Sequence, residues 1–350
     1  MKTRVFFFLS LTFFNLQSQC YIPYVEHNRW GLLNDSLHEV LVPQYDYLKN
    51  YNSDFWIYKK GLNYGILSKN FQELTPPDFS VIYWIDTQKY VVYEKQNYSI
   101  HFWNDTTQLI LNVDTVHAVY PNFILVEVNS QKGILNYQNE WKIPPIYQEV
   151  ITNGTDIIVM EEDKYYFVDT LHKKKLKYGF EEAYCFSEGL ALVKWNELYG
   201  FVNQEGKWIT DCEFLNAQPF QEGLAPVEKN NRWGFINTKN ELVIPYIYDF
   251  VFPFHNGRAI VQYKGKWGVI NQTGKIILPL EYDEIQNFEN QIFIVRMKHL
   301  WGIMNDQQTW LIPPEFIDFK KFHCSYWIFY TENQAQVIVN EKGKKIWINL

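Results

Sequence analysis

The chain is 350 residues long, 47% apolar and 20% charged, which excludes wholesale disorder. Its aromatic share of 18% favours strands, where flat rings pack on pleated surfaces. A net charge of -7 with no long basic run argues against a nucleic-acid binder, which normally carries a basic stripe.

Lys2 and Arg4 precede an apolar run from Val5 to Leu16, and polar Gln17, Ser18 and Gln19 follow. A basic start, a short apolar stretch and a small residue near its end read as a secretory signal peptide over residues 1–19. The run is well short of the roughly 20 residues that span a bilayer, and no later stretch is longer, so no transmembrane span is expected. The expected destination is outside the cytoplasm: periplasmic, cell-surface or secreted. A lipid anchor at Cys20 is the alternative. Against it, Leu16 stands one residue too far upstream, and Gln17 and Gln19 occupy places where a lipoprotein signal has small residues. The remaining cysteines, Cys185, Cys212 and Cys324, are too few for a disulfide framework and read as small buried apolar residues.

From residue 20 to 350 one repeat organises the sequence. Trp30-Gly31, Tyr64-Gly65, Lys132-Gly133, Tyr199-Gly200, Trp233-Gly234, Trp267-Gly268 and Trp301-Gly302 each open a short apolar run that usually ends in Asn. Ser99, Tyr166 and Val337 hold the glycine slot in eroded copies, and successive slots lie 33–35 residues apart. Fourteen residues past the glycine stands an aromatic slot, as in Tyr45, Phe214 and Tyr248, and eleven or twelve past it stands proline, as in Pro43, Pro245 and Pro279. A fixed period of this length marks a repeat architecture.

One unit shows the local physics. A strand over 223–227, a polar turn, a strand Arg232–Asn237, a second turn and a strand over 241–244 form hairpins, with Pro245 expected to end the ladder. Single hairpins are marginal, so stacked neighbours must supply the stability. The expected fold class is therefore all-β: a tandem array of about ten units of ~34 residues, each a hairpin or three strands, open and solenoid-like, with a closed propeller as the alternative. Trp233 and Phe235 should point one way and Gly234 and Ile236 the other. The glycine slot is expected to leave room for a ring from an adjacent strand.

The Trp-Gly-Phe/Val/Ile-Ile-Asn strands, the turns ending in Gly206-Lys207 and Gly274-Lys275, and segments such as Ile277 to Asp283 resemble the WG-repeat family, also called the WG β-leg repeat, typical of bacteria. The resemblance covers nearly all of the chain after residue 20, with the clearest copies between Phe186 and Asp318. It implies an all-β interaction module without a known catalytic residue set, and it implies no particular partner.

Chemistry-bearing motifs are sparse. His38-Glu39 lacks the second histidine of a zinc-protease helix, since position 42 is Val. Gly268 to Ile276 has five residues between its glycines and Ile where a phosphate loop needs Ser or Thr. Asp46, Asp114, Asp249 and Asp283 share one slot; they read as turn closers before calcium ligands. Lys173-Lys174-Lys175 reads as a solvated turn. Asn34, Asn97, Asn104, Asn153 and Asn271 begin glycosylation triplets that matter only in a host that uses them. No catalytic, cofactor or metal set is expected. The functional expectation is an exported, non-enzymatic scaffold that binds another protein, with carbohydrate or peptidoglycan binding through exposed aromatic residues as the alternative.

Overall fold

A computed structural model describes residues 21–34, 38–289, 292–321, 326–333, 335–340 and 343–348, and every regular element among them is a strand. Residues 1–19, Cys20 and Cys324 lie outside the described residues. The chain divides into two compact units, Met1–Ser80 and Val81–Leu350. The first holds a three-stranded and a four-stranded sheet. The second holds eight sheets, seven of four strands and one of three. Within every sheet each strand pairs antiparallel with the next in sequence.

The sheet around Trp233 shows the pattern. Its strands are Asn216–Ala217, Leu224–Lys229, Arg232–Asn237 and Leu242–Tyr248. The last three answer the expected hairpins. The first, only two residues long, carries no pattern that a sequence can show. The turn between the second and third strands is Asn230-Asn231, with φ of 54° and 59°. Two successive positive φ values make a turn whose twist matches the strands it joins, and Asn tolerates that conformation.

Proline does not end the ladder as expected; the fourth strand runs on through Pro245 to Tyr248. Phe235 pairs with Ile244 and Trp233 with Tyr248, so Gly234 alone faces residues 245–247. This is a bulge, and the extra residues have no ladder bond to make, which is why proline is harmless there. The same shift occurs opposite Gly31, Gly65, Gly133, Gly200, Gly268 and Gly302. Opposite Ser99 and Val337 the pairing is regular. The sheet of Tyr166 has no fourth strand, only isolated bridges at Tyr165↔Phe180 and Val168↔Lys174. Glycine and bulge thus go together: the seven repeats that have the glycine have the bulge, and those of Ser99 and Val337 have neither.

The glycine slot mostly makes room for backbone rather than for a ring. A Cβ on Gly234 would stand 2.6 Å from the Ile244 carbonyl oxygen, and one on Gly302 2.7 Å from that of Ile312. Gly31, Gly133, Gly200 and Gly268 likewise have a carbonyl of the bulged last strand as nearest neighbour, the third strand in the sheet of Gly31 and the fourth in the others. Only at Gly65 is a ring nearest, that of Tyr58 on the adjacent strand, at 2.5 Å. The bulge pushes its own chain toward the third strand, and a side chain there has no space.

The core follows from strand alternation. Trp233, Phe235, Ile244 and Tyr248 pack onto Val251, Phe254, Ala259, Val261 and Ile270 of the next sheet. On the other face Ala225, Val227 and Ile236, with Phe220 from the connection between this sheet's first two strands, meet Leu190, Leu192, Phe201 and Phe214 of the preceding sheet. Each core cluster of the second unit joins one sheet to the next in this way. None joins the sheet that starts at Val81 to the sheet that ends at Ile348, and no barrel or propeller ring closes among the described residues of that unit.

Candidate interaction surface

The aromatic slot before each glycine is a packing position. Trp233 and Trp301 are buried, at 8% and 5% exposure, and Trp30, Tyr64, Tyr199 and Trp267 are half-buried. Each faces an aromatic residue across the bulge: Trp30↔Tyr45, Tyr64↔Phe79, Tyr199↔Phe214, Trp233↔Tyr248, Trp267↔Tyr282 and Trp301↔Phe316. Rings from the next sheet's first strand continue the contact. Phe250 lies 5.8 Å from Trp233 and 6.1 Å from Trp267, and Phe319 lies 4.8 Å from Trp301. Such edge and tilted ring pairs stabilise beyond the area they bury.

The asparagine that ends the third strand closes the following turn. The Oδ1 of Asn237 accepts the N–H of Lys239 and Glu241 at 3.0 and 2.9 Å. Asn136, Asn203, Asn271 and Asn305 make the same pair of bonds. In the Gly268 to Lys275 segment those N–H groups point inward at Asn271, so they form no cradle for a phosphate.

The acidic slot also serves turns, but those of the next sheet. Asp46 accepts the Gly61 N–H at 2.6 Å, Asp114 that of Asn129 at 2.6 Å, and Asp249 that of Gly265 at 3.1 Å. Glu181 takes the same role toward Asn196 and Glu197, at 3.0 and 2.9 Å. Cations two residues before the glycine slot complete the staple: Arg29 to Asp46, Arg232 to Asp249 and Lys266 to Asp283. Bonds to Lys266, first, hold the Asp283 carboxyl below its usual range, and the backbone N–H of Glu197, first, does so for Glu181. A depressed carboxylate stabilises the fold above its unfolded-state value and stops doing so as pH falls through the folded-state value. Thermal midpoints should therefore hold from neutral pH down to about pH 5 and fall progressively below it. A midpoint that rises on acidification to pH 3 would contradict the staple.

The eroded third sheet of the array carries a polar cluster. The Ser99 hydroxyl lies 3.1 Å from Glu94 Oε1 and 3.0 Å from His101 Nε2, and His101 Nε2 lies 2.7 Å from the same Glu94 oxygen. A nucleophile triad needs its acid on the far imidazole nitrogen. Here one nitrogen serves both partners, and Ser99 is 1% exposed, so the cluster satisfies itself.

Cys185 and Cys212 are free thiols. Burial, then the charge of Asp156, pushes Cys185 up to about 12; burial pushes Cys212 up to about 11. Neither is an activated nucleophile, since the thiolate is the reactive form. Iodoacetamide at pH 8 is expected to leave both largely unmodified in the folded chain and to label both in denaturant, read by intact mass.

Exposed apolar side chains gather mainly on fourth strands and connecting segments. Trp141 is 43% exposed, Leu242 and Ile276 49%, Ile247 45%, and on connections Leu171 is 71% and Phe252 45%. The sequence pattern names the slots of Trp141, Leu242 and Ile276 but not their exposure, which the bulged edge determines. Among the described residues, no helix is long and apolar enough to cross a membrane, and no group of three His, Cys, Asp or Glu side chains is placed to hold a metal.

Five consecutive stretches, 167–199, 199–233, 233–267, 267–298 and 301–333, match the family model described as the WG containing repeat. Residues 167–333 thus carry tandem WG-containing repeats. No curated protein matches the chain in sequence. Among solved structures, a eukaryotic initiation factor is similar with a TM-score of 0.53 and 9% identity, over 84% of this chain and 95% of that one. At that identity the likeness is one of fold alone. PorZ, a bacterial surface component of the type-IX secretion system of Porphyromonas gingivalis, aligns with a TM-score of 0.28 and 11% identity, over 84% of this chain and 50% of that one. The dihydro-heme d1 dehydrogenase NirN aligns with a TM-score of 0.37 and 10% identity, over 81% of this chain and 70% of that one.

Proposed function

We propose that this chain is an exported, non-enzymatic scaffold that binds another protein through the side chains its repeats leave exposed. One observation carries the reading: the tryptophan or tyrosine, asparagine and acidic slots of the repeat are consumed by the fold. Tryptophan and tyrosine slots pack, asparagines close turns, and acidic residues staple one sheet to the next. What remains for a partner is the exposed surface, including the edge-strand slot of Trp141, Leu242 and Ile276 and, on a connection, Phe252. Exposed apolar groups on a soluble repeat mark contact positions.

A glycan-binding reading would use the tryptophan slot as a ladder of wet rings, and the burial of Trp233 and Trp301 disfavours it. Against a hydrolase stand the self-satisfied Ser99 cluster and two half-buried thiols whose thiolate forms are disfavoured. Export rests on the Lys2 to Gln19 stretch. The test has two arms. Fractionation of the producing cell should place the full chain outside the cytoplasm. Cross-linking affinity capture from that compartment should recover one protein in near-stoichiometric amount. Retention in the cytoplasm, or turnover of a polysaccharide or peptide substrate with no protein recovered, would overturn the reading.

A further inference from the structure

The fifth sheet of the array departs from the others in a way that concentrates positive charge. Its third strand, Lys164–Val168, has no full fourth strand beside it. The chain instead passes through a turn and a lysine-rich stretch tied to the sheet by the bridge Val168↔Lys174. Residues 171–178 contain four lysines and no acid, in a chain whose net charge is -7.

The stretch is held rather than loose. Asp169 Oδ1 accepts the N–H groups of Leu171 and Lys173 at 2.8 and 2.9 Å. The His172 ring nitrogen Nε2 lies 3.2 Å from the carbonyl oxygen of Lys142, on the fourth strand of the preceding sheet. That bond sets the turn beside Trp141 and Lys142. Lys174 is already engaged at the surface, 2.5 Å from Glu161 and 3.6 Å from the centre of the Tyr166 ring. Lys142, Lys173 and Lys175 are exposed and no close ion pair engages them among the described residues; after the backbone N–H of Lys173, the charges of Lys173 and Lys175 help hold the Asp169 carboxyl below its usual range. Leu171 is 71% exposed and Trp141 43%. Exposed ammonium groups and uncovered apolar side chains therefore share one ordered patch. Elsewhere in the second unit the slot of Lys174 is filled by Thr107, Trp141, Trp208, Leu242, Ile276, Trp310 and, in the last repeat, Lys345, but none of those repeats has lysines on both sides of the slot as Lys173 and Lys175 are here.

We propose that the patch of Trp141, Lys142, Leu171, Lys173 and Lys175 binds an acidic peptide segment, with apolar side chains among its carboxylates, on the partner protein. The inference rests on the scaffold reading above and names the chemistry of its partner. Carboxylates would pair with the three exposed lysines, and the peptide's apolar side chains would cover Leu171 and Trp141. A broad anionic surface such as a membrane fits less well. It would also meet Glu140, Glu161 and Glu162, which border the same residues, whereas a single extended chain can pass between them. An acidic glycan could pair with the lysines and stack on Trp141, but it has nothing to cover a leucine.

The test uses the full chain and four probes: a random copolymer of glutamate and tyrosine, polyglutamate, polygalacturonate, and vesicles of phosphatidylglycerol. The copolymer should bind most tightly, with an affinity that falls steeply with salt. Lys142→Glu, Lys173→Glu and Lys175→Glu combined should weaken it at least about tenfold. Leu171→Ser should weaken it while leaving the salt dependence unchanged. Circular dichroism and melting of both variants should match wild type, since none of these side chains is buried. No binding of the copolymer by wild type, an unchanged affinity after the triple reversal, or tighter binding to polygalacturonate or to vesicles would each overturn the proposal. A natural partner that is still captured by the triple variant would remove this site and leave the scaffold reading standing.

Discussion

Gly234→Val is expected to destabilise the second unit by about 1–3 kcal/mol, a large share of what a protein of this kind has to spare. The reason is geometric. A Cβ at this position would stand 2.6 Å from the Ile244 carbonyl oxygen and 3.0 Å from the carbonyl carbon of Pro245. Both atoms are backbone, so no rotamer change relieves the contact; the bulge itself must move, and with it the pairing of Trp233 with Tyr248. Two further substitutions separate this cause from a general intolerance of bulk. At Gly179 the obstacle is the far end of the Tyr166 ring, which can swing aside, so Gly179→Val should cost clearly less. At position 337 nature already has valine: the pairing there is regular, Val337 with Trp347, and the valine is fully buried. Val337→Gly should therefore destabilise, as a cavity and a flexible backbone replace a packed side chain. Denaturant melts of the three variants decide the matter. Equal midpoints for Gly234→Val and wild type, or equal costs for Gly234→Val and Gly179→Val, would rule out the bulge as the cause.

That pair of positions also marks where the sequence stops being legible. The register of the repeat could be read directly, because each slot is filled by a residue with one local use. Trp233, Phe235 and Ile236 alternate between faces as a strand must, and Asn237 sits where a turn needs an oxygen. The bulge could not be read. It depends on the fourth strand folding back on the third, and Pro245 looks like a terminator to any rule that sees only neighbours in sequence. The acidic slot was read as a closer of its own turn. Its actual partner, a backbone N–H about fifteen residues on, exists only once two sheets are stacked. The lysine stretch after Asp169 was legible as charge but not as a surface. What makes it one is the bond from His172 to the preceding sheet, thirty residues away. In each case the missing information was a contact between neighbouring sheets.

Phe235→Ala should be the most damaging single change in the array, at about 3–5 kcal/mol. Phe235 is fully buried, and its ring lies 4.8 Å from that of Phe254 in the next sheet. Phe201 and Phe220 repeat the pair one unit earlier at 4.7 Å, and Phe167 and Phe186 two units earlier at 4.9 Å. Each pair is the centre of one sheet-to-sheet interface, and the alanine would leave a cavity that two rigid sheets cannot close. In a stack whose sheets touch only their neighbours, damage should spread by one interface at a time. Hydrogen exchange is therefore expected to lose protection in Leu224–Lys229, Arg232–Asn237, Arg258–Tyr263 and Lys266–Asn271, the strands on either side of the cavity. Phe123–Val128, separated from it by whole sheets, should exchange as in wild type. The double variant with Phe254→Ala should cost less than the sum of the two single changes, since the second truncation removes a ring that has already lost its partner. Uniform loss of protection across the second unit would mean that its sheets unfold as one body, and the nearest-neighbour account of its stability would be wrong.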